Sequence, residues 1–238
     1  MSVWVWVALI LGLAAFTQSL TGFGVALVSM PLLSMVIGVK QAAPLVALIS
    51  LFVEVGILWR YRAHLALRPV LHLAVASFFG VPLGVWGLRH LPERPVAMGL
   101  GVVLAGYGLY ALAGWRLPKL EGKGWAWGAG WLSGVLGGAY NASGPPVILY
   151  GHARQWPPAR FKANLQAYFL LNSSLVFLTH LAAGTIRPST WRLAAWSLPA
   201  LAAGLVLGAT MDRWLSPSAF RKMVLIALVL LGARMLWG

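Results

Sequence analysis

The chain has 238 residues, 60% of them hydrophobic and only 9% charged, a composition far from that of a soluble globular domain. Its 18 Lys and Arg face 4 Asp and Glu, so the net charge of +14 reflects a scarcity of acid. The basic residues stand in short polar gaps between apolar runs and not on one solvated face, which excludes nucleic acid as a partner. With no Cys, disulfides, thiolate nucleophiles and Cys metal sites are excluded as well.

Residues 1–16 lack a basic n-region and no A-x-A-like site follows, so the first apolar segment is expected to belong to the mature protein. Residues 3–39 are apolar but too long for one crossing. They are interrupted at Gln18-Ser19-Leu20-Thr21-Gly22-Phe23-Gly24. Three runs follow, 41–59, 69–88 and 95–114, each with the length of about 20 residues that a hydrocarbon core of about 30 Å requires. After a polar linker at 118–123, residues 125–151 are again apolar and again interrupted, at Tyr140-Asn141-Ala142-Ser143-Gly144-Pro145-Pro146. The runs 164–183, 191–211 and 218–237 complete the set of six spans. Gly costs about 1 and Pro about 3 kcal/mol in a helix interior, so each interrupted stretch is expected to form two short helices.

The two interrupted stretches align when the chain is compared with itself. At a separation of 122, Gly12, Gly22, Val25, Leu27 and Lys40 fall on Gly134, Gly144, Val147, Leu149 and Lys162. At 124, Gly80, Leu83, Gly84, Arg89, Leu91 and Gly108 fall on Gly204, Leu207, Gly208, Arg213, Leu215 and Gly232. The pattern predicts two repeats, residues 1–117 and 124–238, joined by the linker. Gly80/Gly84 and Gly204/Gly208 are small-xxx-small pairs suited to close helix contact, and Trp4, Trp59, Trp115, Trp156, Trp191 and Trp237 suit interfacial anchors.

Charge counting selects the topology. If each interrupted stretch crossed once, the 18 basic residues would divide evenly. If each is a re-entrant hairpin, one face receives Arg60/Arg62/Arg68, Arg116/Lys119/Lys123, Arg154/Arg160/Lys162 and Arg213/Arg221/Lys222, which is 12 of 18. The other keeps Lys40, Arg89, Arg94, Arg187, Arg192 and Arg234. A hairpin plus three crossings has odd parity, so the second repeat is expected to be inverted relative to the first. The expected fold class is therefore an all-α integral membrane protein of two inverted repeats, an architecture of transporters whose discontinuous helices meet near the midplane.

Within the breaks the side chains are uncharged hydrogen-bonders: Gln18, Ser19 and Thr21 in the first, Tyr140, Asn141 and Ser143 in the second. Each break leads into a helix whose N-terminus carries unpaired N–H groups and partial positive charge, and Gly22, Gly24 and Gly144 let a ligand approach the backbone. A small anion between these two breaks is the expected substrate, with Pro145 and Pro146 completing the second; capping and packing of two kinks is the plain alternative. Lys40 and Lys162 are candidates for attracting anions or pairing with Glu54 or Asp212, although snorkelling lysines fit equally. Asn164, Gln166, Asn172 and Ser173 are candidates to line the pathway, or to bond between helices. Glu54 lies well inside a predicted span, where a charge costs roughly 2.5–3.5 kcal/mol, and is a candidate proton site unless it forms an ion pair near the interface. His152 and His180 are expected to have no mechanistic role. H-E-x-x-H, G-x-S-x-G and a pair of intramembrane acids are absent, so no enzyme, cofactor or metal is expected. The absence of G-x-x-x-x-G-K-[ST] points to secondary transport, with a channel as the runner-up. The expected partners are the small anion and the bilayer, with a second copy of the chain as a further candidate.

The segment GVLGGAYNASGPPVILYGHARQWPPARFKANLQAYFLLNSS, the Gly-containing break in each half and the closing GLVLGATMDRWLSPSAFRKMVLIALVLLGARML together resemble the TauE/SafE family of sulfite exporters and related anion permeases. The most specific part is Ser143 to Pro146 followed by Arg160-Phe161-Lys162. Many members have adjacent glycines in both hairpins; this chain has Thr21-Gly22-Phe23-Gly24 in the first. The resemblance implies a multi-pass plasma-membrane carrier for sulfite, sulfonates or related sulfur-containing or carboxylate anions. Composition and spacing select a small anion without selecting sulfur.

The 12 to 6 charge split places both termini and the loop at Arg89 to Arg94 outside and the linker in the cytoplasm. Single cysteines introduced into this Cys-free chain should label accordingly with a membrane-impermeant reagent. Termini and linker labelling from one side would overturn the inverted-repeat topology.

Overall fold

The computed structural model describes residues 2–61, 63, 65–115, 118–120, 122, 124–211 and 217–237, with the backbone alone at 60, 61, 67 and 217. Among these, the chain forms ten helices: α1 (Val3–Thr21), α2 (Val25–Ile37), α3 (Val39–Tyr61), α4 (Leu67–His90), α5 (Glu93–Ala113), α6 (Gly124–Tyr140), α7 (Gly144–Ala153), α8 (Pro158–Ala182), α9 (Pro188–Met211) and α10 (Pro217–Trp237). Arg62, Arg116, Lys123, Asp212, Arg213 and Leu215, named above, lie outside the described residues, as does the side chain of Arg60.

Helices α1, α3, α4, α5, α8 and α9 are long and apolar enough to cross a membrane. Helix α10, expected as a span, has 21 residues and carries Arg221, Lys222 and Arg234. Helix α1 departs from the expectation of a short arm, since it runs 19 residues without interruption. Its polar residues do not break it, because Thr17 and Thr21 return their hydroxyls to carbonyls four residues back, at 2.9 and 2.8 Å, an arrangement compatible with a continuing helix. The helix stops only where Gly22 takes a φ of 81°. Helix α6 likewise runs to Tyr140, and the shorter arms are α2 and α7, with 13 and 10 residues.

Large apolar side chains remain exposed along whole helices: Trp6, Leu9 and Leu13 on α1, Phe78 and Phe79 on α4, Met223, Ile226 and Leu230 on α10. Helices that are apolar outward as well as inward are solvated by lipid. Trp59, Trp115 and Trp237 are the most exposed tryptophans and stand at helix ends, as interfacial anchors do. Trp156 instead packs edge-on against Tyr150, with ring centroids 5.7 Å apart.

The helices fall into two compact units. One comprises Met1–Val46, Leu91–Trp115 and Ile186–Gly238; the other comprises Ala47–His90 and Arg116–Thr185. Each unit draws on both halves of the sequence. In the first, α1 packs on α9 and α5 on α10; in the second, α4 packs on α6 and α8.

These contacts bring backbone against backbone. A Cβ at Gly80 would strike the Trp131 carbonyl and the Val135 nitrogen, and one at Gly84 the Val135 carbonyl; from the other side, Gly138 meets the Val81 carbonyl. In the first unit Gly204 meets the Gly12 carbonyl and the Phe16 nitrogen, and Gly208 meets the Phe16 carbonyl. The same contact is thus made twice. Trp131 and Val135 stand 119 residues after Gly12 and Phe16, while the glycines facing them keep a separation of 124. The α5–α10 contact repeats onto itself at 124: Gly108 faces the Leu225 carbonyl and Val229, and Gly232 faces the Gly101 carbonyl and Ala105. Glycines 130, 134 and 138 form one stripe on α6, and a shift of three residues is nearly one helical turn. Matching by sequence therefore aligns α1 with α6 at 122, whereas packing aligns them at 119.

Gly84→Ala and Gly204→Ala should each destabilise the protein by about 1–3 kcal/mol through overpacking. Gly106 and Gly128, also helical, have open space where a Cβ would go, so alanine there should be neutral or stabilise by about 0.5–1 kcal/mol. Thermal unfolding in detergent checks the opposite signs.

Candidate functional site

The first break consists of Gly22, Phe23 and Gly24. Gly22 closes α1 by giving its N–H to the Gln18 carbonyl at 2.7 Å, the one-bond left-handed cap, and Gly24 has a φ of 125°. Gln18, 3% exposed, spans the break: its Oε1 accepts the Val25 N–H at 2.7 Å and so caps the start of α2. Its Nε2 is buried with no hydrogen-bond partner. Thr21 turns its hydroxyl to the carbonyls of Thr17 and Phe23. Because the first N–H groups of a helix have no carbonyl within it to bond, those of Ala26 and Leu27 remain as donors. Ser19 points elsewhere, donating to the Leu205 carbonyl of α9 at 3.1 Å.

The second break repeats this geometry with different chemistry. Asn141, with φ of 54°, ends α6 by giving its N–H to the Gly137 carbonyl at 2.7 Å, in the place Gly22 takes after α1. Asn is the residue other than Gly that visits this conformation most readily. Ser143 caps α7 without a side-chain bond, and its carbonyl accepts the Ser133 hydroxyl. Tyr168 of α8, fully buried, donates to Ser133 Oγ at 2.7 Å, so a two-bond relay anchors the break to α6 and α8. Helix α7 begins Gly144-Pro145-Pro146, and proline has no N–H. The donors at this helix start therefore reduce to Ser143 and Gly144. Tyr140, just before the break, is partly buried.

Of the other candidates, Asn164 and Gln166 are fully buried on α8. Asn164 Oδ1 accepts the Ala66 N–H at 2.9 Å and fixes the segment before α4. Asn172 lies against Gly137, where a Cβ would meet its amide nitrogen. Glu54 is 5% exposed; Ser173 donates to its Oε1 at 3.0 Å and its Oε2 has no hydrogen-bond partner. Lys40 stands fourteen residues before it on α3, about 21 Å of helical rise, which rules out the Lys40–Glu54 pair. Lys162 is partly buried in the second turn of α8. His180 is buried with Nδ1 2.8 Å from Thr185 Oγ1, and His152 stacks edge-on against Phe161.

Three contributors escape sequence inspection. Ser133 and Tyr168 carry no motif, and only the packing of α6 on α8 brings them to the break. Arg221 of α10 lies 5.5 Å over the Phe23 ring, beside Tyr107, whose ring meets Phe23 edge-on at 6.5 Å. Arg221 follows Phe23 by 198 residues, so no local signal connects them.

A multi-span helical protein with two interrupted helices, each exposing backbone donors and free of acid, is a membrane transporter of small anions. The family profile described as Sulfite exporter TauE/SafE matches residues 7–235, and the chain belongs to that family. It is 26% identical over 233 residues to the "Probable sulfite/organosulfonate exporter TauE" of Cupriavidus necator, covering 95% of this chain and 91% of that one. To the "Probable inner membrane transporter protein TsaS" of Comamonas testosteroni it is 28% identical over 175 residues, 73% and 71% of the two chains. No solved structure matches it significantly.

Gln18→Ala strands a buried N–H at Val25, and Ser133→Ala removes the hydroxyl that links Tyr168 to the Ser143 carbonyl, leaving Tyr168 the longer bond to Asn172 Oδ1 at 3.5 Å. Each should cost about 1–3 kcal/mol, read as a lowered unfolding temperature. Ser19→Ala, which leaves one partly buried carbonyl, should cost less than either.

Proposed function

We propose that the protein moves sulfite or an organosulfonate across the inner membrane as a secondary carrier without a catalytic step, and that the helix breaks supply hydrogen-bond donors to the anion. One observation carries the reading: at positions 119 apart, each break pairs a left-handed helix cap with a new helix start three residues later, offering N–H donors and no carboxylate. An anion leaving water must recover its hydrogen bonds, and such donors supply them. Sulfur comes from the name of the Cupriavidus relative and the inner membrane from that of the Comamonas relative.

Descent of the two halves from one repeat is supported by the duplicated glycine contacts, and inversion by the odd parity and the 12 to 6 charge bias. Glu54 is the candidate for coupling, because its Oε2 is a buried oxygen without a hydrogen-bond partner, a setting in which gaining and losing a proton alters local packing. Lys40 and Lys162 are candidates for drawing anions toward α3 and α8.

Flux into proteoliposomes, run over sulfite, sulfonates, sulfate and short carboxylates, tests the reading. A carrier saturates and shows counterflow; linear, non-exchanging flux would identify a channel, and absence of flux for every anion would refute transport. A Cβ at Gly144 meets only Ile148 and Phe169, at 3.5 and 3.7 Å, which is ordinary contact. Gly144→Ala should thus keep the unfolding temperature and lose at least about tenfold in transport, since one lost hydrogen bond to a charged group is worth about 1.5–3 kcal/mol. Gly24, with its positive φ, would confound strain with function.

A further inference from the structure

We propose that Arg221 is the fixed cation of the anion site at the first break and that the Tyr107 hydroxyl is its companion donor. The inference rests on the reading that this break binds substrate, and it specifies the substrate as an oxyanion able to present two oxygens to a guanidinium.

Neither break contains Lys or Arg in its own sequence. The charge comes from α10, which carries the Arg221 guanidinium to 5.5 Å over the face of Phe23. Phe23 is a rigid support. It lies between Gly22 and Gly24, it is 5% exposed, and the Thr21 hydroxyl holds its carbonyl. A guanidinium over an aromatic face is held by cation–π attraction while its donor edge stays available. Lys222, the next residue, is exposed, while Arg221 is partly buried; neighbours on a helix point about 100° apart, so only the arginine turns inward.

The donors there are left over. Arg221 Nε is buried with no hydrogen-bond partner, and the Tyr107 hydroxyl, on a side chain 6% exposed, lies in hydrogen-bond reach of the same guanidinium, where its oxygen can only accept and its own hydrogen is left to donate. Gln18 Nε2, at the same break, is a second buried donor without a partner. Buried polar groups are otherwise nearly always paired, and each unpaired one is costly. Two unpartnered buried donors at one break, one of them on a cation, and the hydrogen of Tyr107 beside that cation call for an acceptor. An oxyanion provides several acceptor oxygens and a charge, and a planar guanidinium suits two of them at once.

The test uses the purified full chain and sodium sulfite as the probe. In proteoliposomes Arg221→Gln should raise KM for sulfite about 10- to 100-fold, because it removes a charge-assisted bond. Arg221→Lys should recover part of the loss by restoring charge without the fork, and Tyr107→Phe should raise KM several-fold. In detergent, sulfite should raise the unfolding temperature of the unmodified protein, as a ligand of the native state does, and raise it less or not at all for Arg221→Gln at the same concentration. A native KM and a native sulfite-induced shift in Arg221→Gln would overturn the proposal. If Arg221→Gln does not fold, Tyr107→Phe and Arg221→Lys decide, and native KM values in both overturn it. Failure of the broader reading looks different: no variant, and not the unmodified protein, would then carry sulfite.

Discussion

A helix interrupted in a buried setting, away from water, must pair its own backbone N–H and C=O groups or leave them unpaired at a cost of several kcal/mol each. Both breaks are built around that constraint. In the first, Gly22 caps α1 and the Gln18 amide reaches across to the Val25 N–H. In the second, Asn141 caps α6, the Ala142 N–H reaches back to the Leu136 carbonyl, and Ser133 takes the carbonyl of Ser143. What a break can offer a ligand is the remainder. At α2 that remainder is the N–H groups of Ala26 and Leu27 with the Gln18 Nε2; at α7 the two prolines cut it to Ser143 and Gly144.

The glycines make these internal bonds reachable. Helix α6 carries one stripe, Gly130, Gly134 and Gly138, that meets the α4 backbone directly. One residue earlier, Ser133 and Gly137 form a neighbouring stripe that faces α8, where Tyr168 bonds Ser133 and Asn172 presses on Gly137. A helix with small residues on two adjoining faces can be approached closely from both, which is how membrane helices gain contact without a hydrophobic drive between them. A larger side chain at Gly137 would push Asn172 away and loosen the relay that ends at the break.

Much of this was legible in the sequence. Apolar run length identified five of the six helices long enough to cross, missing α1 and counting α10 in its place; Gly and Pro located the interruptions, and the pairs Gly80/Gly84 and Gly204/Gly208 do sit at close contacts. The missing part has a physical pattern. Gln18, Ser19 and Thr21 look like breakers in a list of residues, yet a hydroxyl bonded four residues back remains helical, so α1 runs through them. Sequence matching aligns α1 with α6 at 122 and packing aligns them at 119, because a glycine stripe matches itself after nearly one turn. Sequence shows Arg221 and Lys222 as one basic pair and not the rotation that leaves Lys222 exposed and Arg221 partly buried. The expectation of equal donors at both helix starts also fails at α7, where Pro145 and Pro146 have no N–H to give.

The two breaks share a geometry but not a chemistry, and the difference has a mechanistic logic. A carrier must replace an anion's hydration well enough to take it up and poorly enough to let it go. A duplicated site with a full set of donors and a cation at both breaks would meet the first requirement at the expense of the second. Here the first break has orphan donors and a guanidinium over Phe23, whereas the second has exchanged N–H groups for proline rigidity and has its Ser143 carbonyl anchored by Ser133 and, through it, Tyr168. Proline fixes φ without adding donors, so the second break can hold its shape while contributing little attraction of its own. On the proposed function, binding strength and backbone rigidity, which one symmetric site would have to combine, fall to different breaks.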